Sequence, residues 1–286
     1  MRPANITTSI ADVLAGVAIS GFFLHGVFHD FNFLPVLLLC LSTAGLYGGG
    51  VVFNDVFDAR LDRMERPERP IPSGLISVTE AATLGTLLLA VGIMLAFLVN
   101  LTSGLLAVSV ALCALVYDRW GKHYHFLGPI NMGLCRGLNL LLGISIVYAS
   151  LQETWYLGFI PIIYIASITM ISRGEVHGGS KSTLYNGAFL YAIVIACILY
   201  FSFVRQTILY ALIFLLPFVW MIFKPLLAAI KEPVGRNIGK AVKAGVLALI
   251  LMNAAWAAAF GQLAVAVVIV ILLPLSIKLG RLFAVT

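Results

Sequence analysis

Residues 33–53 read FLPVLLLCLSTAGLYGGGVVF, and residues 54–62 continue NDVFDARLD. The first run is 21 residues without a charge, within the roughly 17–25 residues a helix needs to cross a bilayer. The second places three aspartates and an asparagine in nine positions. An apolar span that runs straight into a dense acidic cluster reads as a membrane helix with chemistry at its rim.

The rest of the chain extends that reading. It is 61% hydrophobic and 10% charged, against roughly 25% charged for soluble domains. One soluble core cannot use that much apolar sequence, so most of it must face lipid. Further spans are expected at 6–27, 78–99, 104–117, 130–149, 155–171, 185–204, 208–223, 244–260 and 263–277. The fold class is therefore an all-α integral membrane bundle of nine or ten transmembrane helices, in a single domain over 1–286. Arg2 and Pro3 lead into the first span without a small-residue cleavage pattern, so that span is not read as a removable signal.

The net charge of +6 would suit nucleic acid in a soluble protein, but here the positive-inside rule accounts for it and no nucleic-acid partner is expected. With ten spans and a cytoplasmic N-terminus, 16 of the 18 basic residues fall in cytoplasmic segments. Arg205 falls outside and Arg136 within a span. The acidic cluster then faces the cytoplasm, and a bacterial inner membrane is the expected location. Membrane lipids are expected partners, with the 224–243 loop set to meet anionic headgroups. The cysteines Cys40, Cys113, Cys135 and Cys197 stand singly in apolar spans, which favours small buried side chains over a disulfide or zinc framework.

Five of the twelve acidic residues, Asp55, Asp58, Asp62, Glu65 and Glu68, lie within 14 positions. On a continuing helix Asn54, Asp58 and Asp62 share one face, with Asp55 beside them. Carboxylates this close repel, and a hard divalent cation such as Mg²⁺ would offset them while leaving positions for phosphate oxygens. The plain alternative is a solvated helix end in which Asp58, Asp62 and Glu65 pair with Arg60, Arg63 and Arg66. The adjoining residues favour a site: Arg66-Pro67-Glu68-Arg69-Pro70-Ile71-Pro72 puts two arginines for phosphate beside the acids. Its three prolines predict an extended, rigid loop.

Here the pattern becomes specific. Residues 54–74 resemble the first aspartate-rich motif and adjoining arginine–proline loop of the UbiA prenyltransferase superfamily. The opening Met1-Arg2-Pro3-Ala4-Asn5 with Asp12 and Gly16 is similar to that family's first helix. Tyr117 and Lys122 stand near its tyrosine–lysine pair, four residues intervening rather than three, and Arg136-Gly137 continues the likeness. The resemblance implies a helical bundle around a central cavity, and transfer of an isoprenoid chain from an allylic diphosphate to an aromatic or lipid acceptor with Mg²⁺. It implies Asn54, Asp55, Asp58 and Asp62 as metal ligands and Arg66, Arg69, Tyr117 and Lys122 as substrate contacts; Arg136, an arginine within a span, is either a further phosphate contact or a structural hydrogen-bond donor. Metal and arginine would stabilise the departing diphosphate while a dry aromatic cavity shields the cation.

The second acidic motif of that family is incomplete. In Ile171-Ser172-Arg173-Gly174-Glu175-Val176-His177-Gly178-Gly179-Ser180-Lys181, Glu175 matches the last acid, while the first falls at Ile171 or Ser172. The string 173–179 is similar to an EboC-like subgroup of UbiA-related proteins. Either Glu175 completes a reduced Mg²⁺ site with Arg173 and Lys181 on phosphate, or the site has changed its task. In the second case the chain is a non-catalytic or transport-associated protein that binds an isoprenoid or small hydrophobic precursor. His177 suits Mg²⁺ poorly, and His25 and His29 read as an interfacial pair with Asp30. Trp120, Trp155, Tyr156 and Trp220 fall where interfacial aromatics belong.

Overall fold

The computed structural model describes residues 3–23, 33–124, 127–173 and 180–282. Glu175 and His177, and the His25–His29–Asp30 group, lie outside the described residues. Within the described residues ten long helices run back and forth across the molecule: α1 Pro3–Ile19, α2 Leu34–Glu65, α3 Val78–Phe97, α4 Leu101–Arg119, α5 Leu127–Ile144, α7 Phe159–Ser172, α8 Lys181–Val204, α9 Ile208–Lys231, α10 Gly235–Ala259 and α11 Leu263–Leu282. A short α6, Tyr148–Thr154, precedes α7. No strand occurs among the described residues. Eight segments are long and apolar enough to span a bilayer, and α1 adds a shorter apolar helix. The tenth, α5, carries Asn131, Arg136 and Asn139 together with several glycines, which lower its hydropathy. The protein is an integral, multi-pass membrane protein.

Helix α2 is one continuous helix of 32 residues, about 48 Å at 1.5 Å per residue. That exceeds the roughly 30 Å hydrocarbon core, so its last turns carry the acidic cluster beyond the apolar stretch. The expected shared face of Asn54, Asp58 and Asp62 is therefore present.

Two expectations are corrected. The loop after α2 is not extended but a chain of tight turns: Arg69 N donates to Arg66 O (3.1 Å), Ser73 N to Arg69 O (2.9 Å), and Gly74 N to Ile71 O (3.2 Å). Proline's fixed φ suits the first central position of a turn as well as an extended chain. Gly74, at φ +79°, supplies the left-handed residue. The loop ends where Ser77 and Glu80 cap α3 reciprocally. The expected spans 130–149 and 155–171 also divide differently, because α5 stops at Ile144. Asn100 caps α4 by accepting from Ser103 N (2.8 Å) and donates to Ser145 O (3.0 Å). Ser103 and Ser145 hydroxyls meet at 2.7 Å. These bonds capture the backbone where α5 would have continued.

The buried apolar residues form two clusters, one within α1–α5 and one joining α1, α5 and α7–α11. Helices α1 and α5 belong to both and cross closely. A Cβ at Gly16 would strike Leu140 O, and one at Gly143 would strike Val13 O. Only glycine permits this approach, a common device where lipid offers no hydrophobic drive for helix association.

Candidate functional site

Between the two clusters lies a cavity of about 440 Å³, lined from α1, α2, α4, α5, α7 and α10. Its wall mixes apolar side chains such as Leu46, Val110, Ile165 and Leu249 with two polar groups. At the α2 terminus stand Asn54, Asp55, Arg69, Tyr117 and Asp118; deeper lie Ser9, Thr43, Arg136 and Asn139.

The deep group is a hydrogen-bonded network across four helices. Arg136 Nη1 donates to Asp12 Oδ2 (2.8 Å) and Nη2 to Thr8 Oγ1 (2.7 Å). Asn253 Nδ2 donates to Asp12 Oδ1 (2.7 Å), Asn139 Nδ2 to Ser9 O (2.8 Å), and Thr43 Oγ1 to Asn139 Oδ1 (2.7 Å). The Arg136 guanidinium also lies 5.7 Å from the Tyr47 ring centre. Asp12 and Arg136 are 1% and 7% exposed, so each charge persists at membrane depth only because the other is there.

The terminal group is arranged as ion pairs. Lys122, on the turn after α4, binds Asp58. Arg69 folds back from the turn-rich loop to Asp62 (2.7 Å) and stands 3.5 Å from Asp55. Asn54 Nδ2 donates to Asp118 Oδ1 at 2.9 Å. The structure thus brings together Asn54, Asp55, Asp58, Asp62, Arg69 and Lys122 at one end of α2, with Tyr117 on the cavity wall beside them. Arg136 is in the cavity as well, but its guanidinium donates to Asp12 and Thr8. Arg66, Arg173 and Lys181 are exposed and are not among the cavity-lining side chains.

Sequence reasoning passed over Asp118, Asn139 and Asn253. For Asn139 and Asn253 an isolated amide inside an apolar span was the available signal, because such groups face a cavity or partner. Ile171, where the second motif's first acid would fall, is 1% exposed and packs on Gly187 of α8. Ile165, Ile168 and Thr169 line the cavity instead, and Ser172 follows them one turn on, its hydroxyl bonded to Thr169 O (2.9 Å).

The donor set can be tested against a metal. Among the described residues no three carboxylate, imidazole or thiol side chains converge as a ready-made site. That excludes a cage made wholly by these residues, yet it suits Mg²⁺, which retains waters and takes one or two carboxylates plus substrate phosphates. The available groups are all hard oxygens. Lys122 and Arg69 already hold positive charge against the carboxylates, and both are suited to a diphosphate.

Fold and site together define a class: a polytopic membrane protein with oxygen donors and cations gathered at one end of a membrane-embedded cavity. The UbiA prenyltransferase family model matches residues 13–241, and the chain belongs to that family. It is 30% identical over 177 residues to digeranylgeranylglyceryl phosphate synthase of Sulfurisphaera tokodaii, the match covering 60% of this chain and 62% of the relative. The fold is that of a UbiA homologue from Aeropyrum pernix K1, with TM-score 0.69 at 18% identity over 87% of this chain and 96% of that one. It is also that of an Archaeoglobus fulgidus homologue bound to DMAPP and Mg²⁺, with TM-score 0.60 at 18% identity over 87% and 98%. The sequence match spans only about six tenths of the curated relatives' length.

Proposed function

We propose that this chain is an intramembrane prenyltransferase that moves an isoprenoid chain from an allylic diphosphate to a hydrophobic acceptor, with Mg²⁺ as cofactor. The observation that carries the reading is the end of α2, where carboxylates on one helix face meet Arg69 and Lys122 beside the cavity. Asn54, Asp58 and Asp62 are the proposed metal ligands, with Asp55 in support, and Glu175 the remaining acid of the second motif. Mg²⁺, when bound, would neutralise charge on the departing diphosphate. Arg69 and Lys122 would exchange carboxylate partners for diphosphate oxygens and hold the leaving group as the allylic C–O bond breaks. Arg66, Arg173 and Lys181, exposed at the same end of the bundle, would add positive charge for capture. Tyr117 and the apolar wall would keep water from the carbocation until the acceptor's nucleophile bonds to it and releases a proton.

The arrangement of basic residues supports a cytoplasmic site. Relatives named for digeranylgeranylglyceryl phosphate favour a geranylgeranyl donor and a glyceryl phosphate lipid acceptor over an aromatic one. Ile171, turned into the core, favours the second reading: a binding protein that retains the cavity without the chemistry.

Mass spectrometry of products from purified protein, geranylgeranyl diphosphate, Mg²⁺ and a panel of acceptors separates the two. A prenylated geranylgeranylglyceryl phosphate is expected. Tight binding of the donor, with no diphosphate released from it in the presence of any acceptor of the panel, would favour the binder.

A further inference from the structure

The acidic motif supplies Asn54, and a neutral amide is an ambiguous ligand. Its oxygen can bind a cation, but its NH₂ can only repel one. An amide free to rotate about its terminal torsion presents either atom. The structure removes that freedom. Asn54 Nδ2 donates to Asp118 Oδ1 at 2.9 Å across the α2–α4 interface, so the nitrogen of the amide is the atom turned towards the carboxyl group. Asn54 Oδ1 is left pointing elsewhere and accepts no hydrogen bond among the described residues. Both residues line the cavity, and Asp118 is 5% exposed.

We infer that Asp118 is a positioning residue for the divalent-cation site: by holding the Asn54 amide through Nδ2, it presents Asn54 Oδ1 to the metal. The inference rests on the Mg²⁺–diphosphate reading above and adds a residue from a second helix, outside the acidic motif. Partners that orient metal ligands in this way typically contribute roughly 10–100-fold to metal affinity. A carboxylate that merely tied α2 to α4 would affect melting and leave metal dependence alone.

The test uses full-length protein and geranylgeranyl S-thiolodiphosphate, an unreactive analogue of the allylic donor, with binding measured by calorimetry across a Mg²⁺ titration. Asp118→Leu removes the acceptor and keeps the branching at Cγ. Its Mg²⁺ half-saturation is expected to rise roughly 10–100-fold. Asp118→Asn, whose own Oδ1 can still accept from Asn54, is expected to stay within a few-fold of wild type. The exchange Asn54→Asp with Asp118→Asn reverses the hydrogen bond and returns an oxygen to the ligand position. Its half-saturation is expected well below that of Asp118→Leu. Unchanged Mg²⁺ dependence in Asp118→Leu overturns the proposal, as does an exchange variant no better than Asp118→Leu. If Asp118→Leu fails to fold, the exchange variant against Asn54→Asp alone carries the test, and equal Mg²⁺ dependence in the two overturns it. Wild-type protein that binds no analogue at any Mg²⁺ concentration overturns the diphosphate reading. Mn²⁺ binding by electron paramagnetic resonance on the same variants then decides the role of Asp118, with equal affinities counting against it.

Discussion

The two polar groups of the cavity use similar side chains to opposite ends. In the deep network, Asp12 meets Arg136 and Asn253, and Asn139 joins Ser9 and Thr43, so four helices are tied by partners that are themselves almost fully buried. At the end of α2, Asp58 and Asp62 meet Lys122 and Arg69 with side chains 7–19% exposed, one of the partners coming from a turn-rich loop. A buried charge whose partner is removed has nowhere to go. A charge at the rim can trade its partner for an ion or a phosphate. The deep group therefore sets the architecture, and the outer group is left exchangeable.

The largest effect on stability is expected where that contrast is steepest. Arg136→Ala would strand Asp12 in the bundle, a loss of about 3–5 kcal/mol for breaking a buried pair. Sharply reduced yield and melting temperature of the purified protein are expected. Replacing Asp12 as well, as Asp12→Asn with Arg136→Met, should recover part of the loss, since no uncompensated charge remains. A stable Arg136→Ala protein with wild-type melting would break the comparison and free Arg136 for a role on phosphate.

A smaller but decisive contrast concerns the missing acid opposite α2. Ile171→Asp buries a carboxylate against Gly187 and α8, so it is expected to destabilise and leave Mg²⁺-dependent donor binding no tighter. Ser172→Asp stands on the face shared with Thr169, which lines the cavity, and is expected to tighten it. Calorimetric Mg²⁺ titrations of both variants read the difference; tighter binding in Ile171→Asp would show that α7 presents a different face.

These contrasts also explain what was legible in the sequence. The ten helices and the continuous acidic face were readable, because span length, helical period and the order of Asn54, Asp58 and Asp62 are local. The network was not: its hydrogen bonds join residues 96 to 241 positions apart, and nothing local in the sequence pairs them. Asp118 was hidden by its place beside Arg119, where it resembles an ordinary helix end. The turns of 66–76 were not legible because proline restricts φ without choosing between a turn and an extended chain. The end of α5 depended on Asn100 and Ser103, supplied by α4.

A metal–diphosphate site at the end of α2 stands most directly on Asp58. Diphosphate release from geranylgeranyl diphosphate, followed across a Mg²⁺ titration beside thermal melting, should be compared for wild type and Asp58→Asn. The amide can still accept from Lys122, so the stability change should be about 1 kcal/mol or less. Release is expected to be Mg²⁺-dependent in wild type and to fall roughly a hundredfold or more in the variant, as when a group that stabilises developing charge is lost. Equal release by the two proteins would contradict such a site, leaving the end of α2 a solvated helix terminus.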